Sequence, residues 1–167
     1  KNAGTNEAWK LRGRNEIKRF ITEAPKTTIW VGHNFLSYDA PSLNRLLGVG
    51  IPVRSIVDTL VLSYLYNPRL EGGHALDDWG IRLSLPYKKD DFNDFSQFSE
   101  RLLNRCSVDV DINLDVFLRL TAKMREIGYS EESCEIEHEI RHIINKQQRN
   151  GFFFDVPGAT ELLSQFR

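Results

Sequence analysis

The chain has 167 residues, of which 41% are apolar and 27% charged, and its net charge is −1. This composition is typical of a globular domain and excludes a disordered chain, a membrane-spanning chain and a strongly basic nucleic-acid binder. Two cysteines, Cys106 and Cys134, are too few for a disulfide scaffold and indicate a reducing compartment. Because Met124 is the only methionine and the first residue is Lys1, we expect the chain to be part of a longer protein.

Hydrophobic patterns in the first half of the chain predict helices that alternate with strands. The first helix has Asn15 as a candidate N-terminal cap, and the first strand is β-branched and aromatic and ends at Gly32. This alternation predicts an α/β domain. The predicted elements are a helix at 15–24, a strand at 27–32, a helix at 39–47, a strand at 51–57, a helix at 60–65 and a short helix at 75–79.

The second half is predicted to be mostly helical from residue 97 to residue 149, after a polar loop at 88–98. Residues 150–155 predict a turn and a strand, and a helix follows from Pro157, a residue that suits a first helical turn. The composition changes near Gly128, where we predict a boundary between domains at 1–128 and 129–167.

The stretch from Val108 to Val116 carries a local conflict. It alternates apolar and polar residues with a period of two, which taken alone favours a half-buried strand. As a helix the same stretch has apolar residues on several sides, a pattern that indicates burial. The pattern favours a strand, whereas the family resemblance given below favours a helix, and we follow the resemblance.

Two groups of carboxylates are candidate site residues. Asp39 follows a predicted strand, where ligands of α/β sheets usually bind, but an aspartate there is equally a helix cap. Asp109, Asp111 and Asp115 form an acidic stretch that is usually only a solvated face. A Mg²⁺ site needs carboxylates from distant segments, so Asp39 and Asp109 form one only if the fold brings them together.

The sequence also contains a zinc-protease motif, His138-Glu139-x-x-His142, with Glu161 as a possible third ligand. The helical positions of these histidines lie opposite an isoleucine face, so we expect two surface histidines on an amphipathic helix. Zinc hydrolysis is therefore the third and weakest functional interpretation. The isoleucine face consists of Ile136, Ile140, Ile143 and Ile144.

The segments together resemble one family. The stretch Gly32-His33-Asn34 through Tyr38-Asp39 resembles the second motif of DEDD-type 3′–5′ exonucleases, and 106–110 resembles the third. Residues 136–138 and 146–155 resemble the segment that opens the polymerase domain of family A DNA polymerases from short-tailed phages. Each motif alone is weak evidence for this family, but their occurrence in the family's order from Thr28 to the C-terminus is specific evidence for it. Further matches in the same order are 57–63, 75–83 and 88–92.

The resemblance implies an RNase H-like exonuclease fold, incomplete at its N-terminus, over residues 1–128, followed by a helical segment that opens the polymerase domain. In such proofreading exonucleases four carboxylates hold two divalent ions, Mg²⁺ or Mn²⁺, and one nucleotide is removed from a DNA 3′ end. Carried over by position, Asp39 and Asp109 are implied to be catalytic metal ligands. Asn34, Tyr38 and Arg105 are implied to bind substrate.

Two departures from the family pattern make the expected site incomplete. No D-x-E pair precedes Asp39, and Arg105 stands where a tyrosine is expected, four residues before Asp109. We therefore expect the isolated chain to be an inactive nuclease. The implied partners are a single-stranded DNA 3′ end or primer–template, an upstream fragment carrying D-x-E and the remainder of the polymerase, with no membrane involved. The implied location is the cytoplasm of a phage-infected bacterium, and the alternative function is an inactive DNA-binding or assembly module.

Overall fold

The computed structural model describes residues 1–86, 94 and 96–166. Most of the described chain is helical, and a π-helical segment at Phe35–Asp39 leads directly into the second helix. The elements are α1 (Arg14–Glu23), β1 (Trp30–Gly32), α2 (Ala40–Leu47), β2 (Ile56–Asp58), α3 (Thr59–Tyr66), α4 (Leu76–Arg82), α5 (Glu100–Glu126), α6 (Glu131–Asn150) and α7 (Val156–Gln165).

The two strands form a parallel sheet in which Trp30 lies opposite Ile56 and Gly32 lies opposite Asp58. Helices combined with a parallel sheet confirm the α/β class at this coarse level. Within the described residues β1 pairs with β2 alone. The carboxyl ends of both strands lie side by side, and the loops that follow them therefore meet at one edge.

The long helix α5 supplies one side of the larger core cluster. Its buried residues Ile112, Val116, Leu120 and Met124 recur every fourth position and pack with buried side chains of α3 and α4. A spacing of four places them on one helical face, so the helix predicted through residues 108–116 is confirmed. The period-two pattern arises because apolar residues also occupy a second face of the same helix.

The predicted orientation of α6 is wrong. His138 and Asn145 are buried, with 5% and 4% of their surface exposed, whereas the isoleucine face is 38–52% exposed. The polar face packs against the π-helical segment and α3. The angular pattern separated the two faces correctly, but the inward face is the one whose His138 accepts the main-chain N–H of Asp58. We call the outward side the isoleucine face of α6 (Ile136, Ile140, Ile143 and Ile144).

Several local predictions made from the sequence differ from the structure or are not tested by it. Helix α1 begins at Arg14 after Gly13, so Asn15 is not its cap. Residues 151–155 form no strand, and the aromatic side chains among them are exposed. A turn at 127–130 separates α5 from α6, while the division into two domains stays a prediction. The loop predicted at 88–98 lies mostly outside the described residues. No helix in the described part of the chain is long and apolar enough to cross a bilayer.

Candidate functional site

A large open groove runs along β1 and encloses a volume of about 1480 Å³. One wall is a stripe of α5 residues that includes Asp109, Asn113 and Phe117, which follow one another at one-turn intervals. Other parts of the lining come from α1, from α3 and from the turn before α4. The lining residues from β1 and the segment after it are Trp30, Val31, Gly32, His33, Asn34, Phe35 and Asp39.

The buried carboxylate of Asp58 fixes the loop that leads to Asp39. Its Oδ1 accepts hydrogen bonds from the main-chain N–H groups of Asn34 (2.8 Å) and Leu60 (3.0 Å), and its Oδ2 accepts one from Leu36 (3.0 Å). Asp58 is 1% exposed and also caps α3. Hydrogen bonds from main-chain donors to a carboxylate are strong, so this residue ties the end of β1 to the end of β2.

Asn34 and Gly32 allow the sharp turn that Asp58 holds. Asn34 has a left-handed backbone with φ of 61°, a conformation that asparagine tolerates better than most residues. A Cβ atom on Gly32 would lie 2.6 Å from the Phe35 ring, so a larger residue there would displace the π-helical segment. Sequence reasoning assigned Asn34 to substrate binding and overlooked Asp58, although a strand-ending aspartate before a helix is a recognisable cap signal.

Asp39 and Asp109 both line the groove, although 70 positions separate them in the sequence. Burial raises the pKa of the Asp39 carboxyl above its ordinary value, and the negative charge of Asp58 adds to this, while a backbone hydrogen bond opposes it. Burial likewise raises the pKa of the Cys106 thiol, and the charges of Asp109 and Asp39 both act in the same direction.

A polar network connects the end of β1 to both walls of the groove. The Thr59 hydroxyl donates to Asn113 Oδ1 at 2.7 Å, and His33 Nδ1 lies 2.9 Å from the same hydroxyl oxygen. Because a hydroxyl has one proton and the shorter contact takes it, Nδ1 of His33 is the donor to Thr59. Asn113 lies one turn after Asp109, so the network fixes α5 relative to the strand end.

Two predicted substrate-binding residues lie elsewhere. Tyr38 belongs to the π-helical segment, is 69% exposed and is not among the described residues that line the groove. Arg105 lies on α5, one turn before Asp109, is partly buried, and also falls outside that lining. Asn34, Asp39 and Asp109 therefore line the same groove, whereas Tyr38 and Arg105 are not among its lining residues.

The groove is acidic. Among the described ionisable residues, Lys1 is the only lysine or arginine in the lining, against the carboxylates of Glu23, Asp39, Asp78 and Asp109. A polyanion enters such a groove only if cations offset these charges. Within the described part of the chain, however, no three histidine, cysteine, aspartate or glutamate side chains cluster closely enough to hold a metal ion.

The structure contradicts the zinc-hydrolase interpretation. Nδ1 of His138 lies 2.6 Å from the carbonyl oxygen of Cys134, and Nε2 accepts the main-chain N–H of Asp58 at 2.8 Å. Both ring nitrogens are thus used by the backbone, and neither has a lone pair left for a metal. The buried His138 is a structural residue that connects α6 to β2, and the prediction of two surface histidines is wrong for it.

No protein-family model matches the chain. The chain is similar to the DNA-directed DNA polymerases of Escherichia phage T7 and Enterobacteria phage T3, with 27% and 26% identity over 194 aligned positions. Each match covers 84% of this chain and 28% of the phage protein, so the chain spans less than a third of the length of these relatives. The chain is thus similar to part of these two phage DNA polymerases.

Proposed function

We propose that the chain forms most of the 3′–5′ proofreading exonuclease of a phage DNA polymerase. The activity would be hydrolysis of phosphodiester bonds at DNA 3′ ends, once an upstream D-x-E segment completes the site. One observation carries the proposal: Asp39 and Asp109, the two carboxylates that the motifs identify, line the same groove although they come from distant segments. The similarity to phage DNA polymerases makes DNA the expected substrate.

The two carboxylates fit part of a divalent-cation site. Carboxylate oxygens are the ligands that Mg²⁺ and Mn²⁺ prefer. Burial and the negative charge of Asp58 raise the pKa of Asp39, and a bound cation would favour its charged form. Asp39 and Asp109 would hold the ions, which when bound supply an activated water and stabilise the leaving oxygen. Because two protein carboxylates bind such ions weakly, the missing pair is expected from the D-x-E segment.

The remaining residues of the groove would position these carboxylates. Asp58 holds the loop before Asp39, and the Thr59–Asn113 hydrogen bond holds α5 beside it. Catalytic groups need placement within about 0.5 Å, which such supporting hydrogen bonds provide. The chain therefore contributes rigid support as well as two ligands.

The free side of β1 is the expected docking place of the upstream segment. A two-stranded parallel sheet is only marginally stable by itself, because parallel sheets normally have more strands and are covered on both faces. Ile29 is 53% exposed, and both Ile29 and Val31 line the groove beside this strand. An added strand would pair with the open edge, cover these side chains and carry its D-x-E carboxylates towards Asp39 and Asp109.

The isoleucine face of α6 is the expected contact with the remainder of the polymerase. Its four side chains are exposed along a helix whose other face is buried against the π-helical segment and α3. A contiguous apolar stripe of this kind marks an interaction surface. The segment after α6 continues the pattern, since Phe152, Phe153 and Phe154 are 90%, 90% and 63% exposed.

The test measures Mg²⁺-dependent degradation of 3′-labelled single-stranded DNA by the chain alone and by the chain mixed with its upstream D-x-E fragment. We expect negligible degradation by the chain alone and restored degradation by the mixture. Asp109→Asn should abolish the restored activity, whereas Asp115→Asn, on the same helix but outside the groove lining, should retain it. A mixture that binds DNA without degrading it would contradict the proposal and favour an inactive assembly module.

A further inference from the structure

An aromatic pair lies in the groove, apart from the proposed metal-binding carboxylates. The rings of Tyr64 and His74 are stacked, with centroids 3.8 Å apart and an angle of 21° between their planes. Both residues line the groove that contains Asp39 and Asp109, and Tyr64 remains 44% exposed. The pair thus presents aromatic surface inside the same groove that Asp109 lines.

The ring of His74 is held by the protein core. Trp79, which is 3% exposed, donates from Nε1 to the Ser63 hydroxyl oxygen at 2.9 Å. The same oxygen lies 2.7 Å from His74 Nδ1, so the hydroxyl proton is available for donation to that nitrogen. Ser63 and Trp79 are both buried, and this chain of hydrogen bonds fixes the orientation of the imidazole.

The backbone that carries His74 is also fixed. Gly73 has a left-handed φ of 96°, and a Cβ atom there would lie 2.5 Å from Asp78 Oδ2, so only glycine fits this turn. Arg82 donates to the carbonyl oxygens of Glu71 and Gly73, and its guanidinium lies over the Trp79 ring. The turn at Gly73 and the hydrogen bonds of Arg82 therefore hold the aromatic pair rigidly.

We propose that the Tyr64–His74 pair is a stacking platform for a base of single-stranded DNA in the groove. The proposal rests on the function proposed above and adds a binding site to it. Every nucleobase has an aromatic face, so a stacking platform holds a strand without reading its sequence. The pair is already ordered, which lowers the entropy lost on binding. The base itself is neutral, and Mg²⁺ in solution offsets the repulsion between the phosphates of the strand and the acidic lining.

The test compares the binding of a short oligo(dT) strand with that of an abasic strand of equal length, in Mg²⁺ buffer, by fluorescence anisotropy. The wild-type chain should prefer oligo(dT), and Tyr64→Leu should weaken oligo(dT) binding about 5- to 100-fold while leaving abasic binding unchanged. Tyr64→Phe is the matched control, because it keeps the ring, and it should stay within about twofold of the wild type.

Three results would overturn the platform: no preference for oligo(dT) in the wild type, unaltered oligo(dT) binding by Tyr64→Leu, or equal losses in Tyr64→Leu and Tyr64→Phe. Melting curves of both variants identify a folding defect. If Tyr64→Leu does not fold, His74→Phe, which retains an aromatic ring, should keep oligo(dT) binding, and His74→Ala should lose it. The result of this binding test is independent of the nuclease assay, because the platform is tested by DNA binding and the proposed function by DNA hydrolysis.

Discussion

Helices α5 and α6 use their apolar residues in opposite ways. In α5 the residues Ile112, Val116, Leu120 and Met124 fill the core, while a second stripe faces the groove. In α6 the polar residues His138 and Asn145 are buried, and the apolar stripe faces outward. The difference shows that an amphipathic pattern identifies two faces but does not by itself identify the inner one. In α6 the buried face is the one whose His138 accepts the main-chain N–H of Asp58 in β2.

The largest expected effect is a difference in stability between variants of α5 and α6 that each lose one apolar side chain. Leu120→Ala should lower the free energy of unfolding by about 2–5 kcal/mol, because Leu120 is fully buried in the core. Ile143→Ala removes a similar side chain from the isoleucine face of α6, where it is 52% exposed, and should change stability by about 0.5 kcal/mol. Urea denaturation measures both. Equal losses would show that the isoleucine face is buried.

A smaller effect is expected from the buried polar face of α6. His138→Ala removes the acceptor of the Asp58 N–H and should cost about 1–3 kcal/mol in unfolding free energy. His142→Ala is the matched control, because His142 is only partly buried and its side chain makes no hydrogen bond within the described residues, so the loss of stability should be much smaller. A result in which the two variants are equally stable would contradict the assigned role of His138.

The isoleucine face should also control association of the isolated chain. Because apolar stripes associate when no partner covers them, we expect the wild-type chain to self-associate at micromolar concentrations. Replacing Ile136 and Ile143 by serine should shift sedimentation profiles towards the monomer with little change in melting temperature, since both residues are 52% exposed. Association that persists unchanged in this double variant would place the contact elsewhere, for example at the free side of β1.

The smallest expected effect concerns Asp39. Because burial raises its pKa in the folded state above that of the unfolded chain, protonated Asp39 stabilises the fold at low pH, and this contribution is lost as the pH rises through the folded-state pKa. Without metal, Asp39→Asn should therefore be slightly more stable than the wild type at neutral pH and equal to it near pH 3. Thermal melts over this pH range measure the difference. If Asp39→Asn were less stable than the wild type at neutral pH, the predicted direction of the Asp39 contribution to stability would be wrong.

The comparison also shows what the sequence could predict. Apart from the strand predicted at 150–155, the order of helices and strands followed from local patterns. The helix at 108–116 followed from the family resemblance, whereas the local pattern favoured a strand. Asp58 and His138 were overlooked or misassigned because their roles depend on main-chain partners 22 and 80 positions away. Such partners are set by tertiary packing, and no periodicity within one segment indicates them. The stacking of Tyr64 on His74 depends in the same way on the turn at Gly73.

The central claim is that Asp39 and Asp109 together hold a divalent cation. Its most direct test is a titration of the ¹⁵N-labelled chain with small amounts of Mn²⁺, which broadens the amide signals of nearby residues. We predict that signals around Asp39 and Asp109 broaden first and together, and that Asp109→Asn removes the effect at both places. Broadening around only one of them, or an unchanged pattern in Asp109→Asn, would contradict the claim.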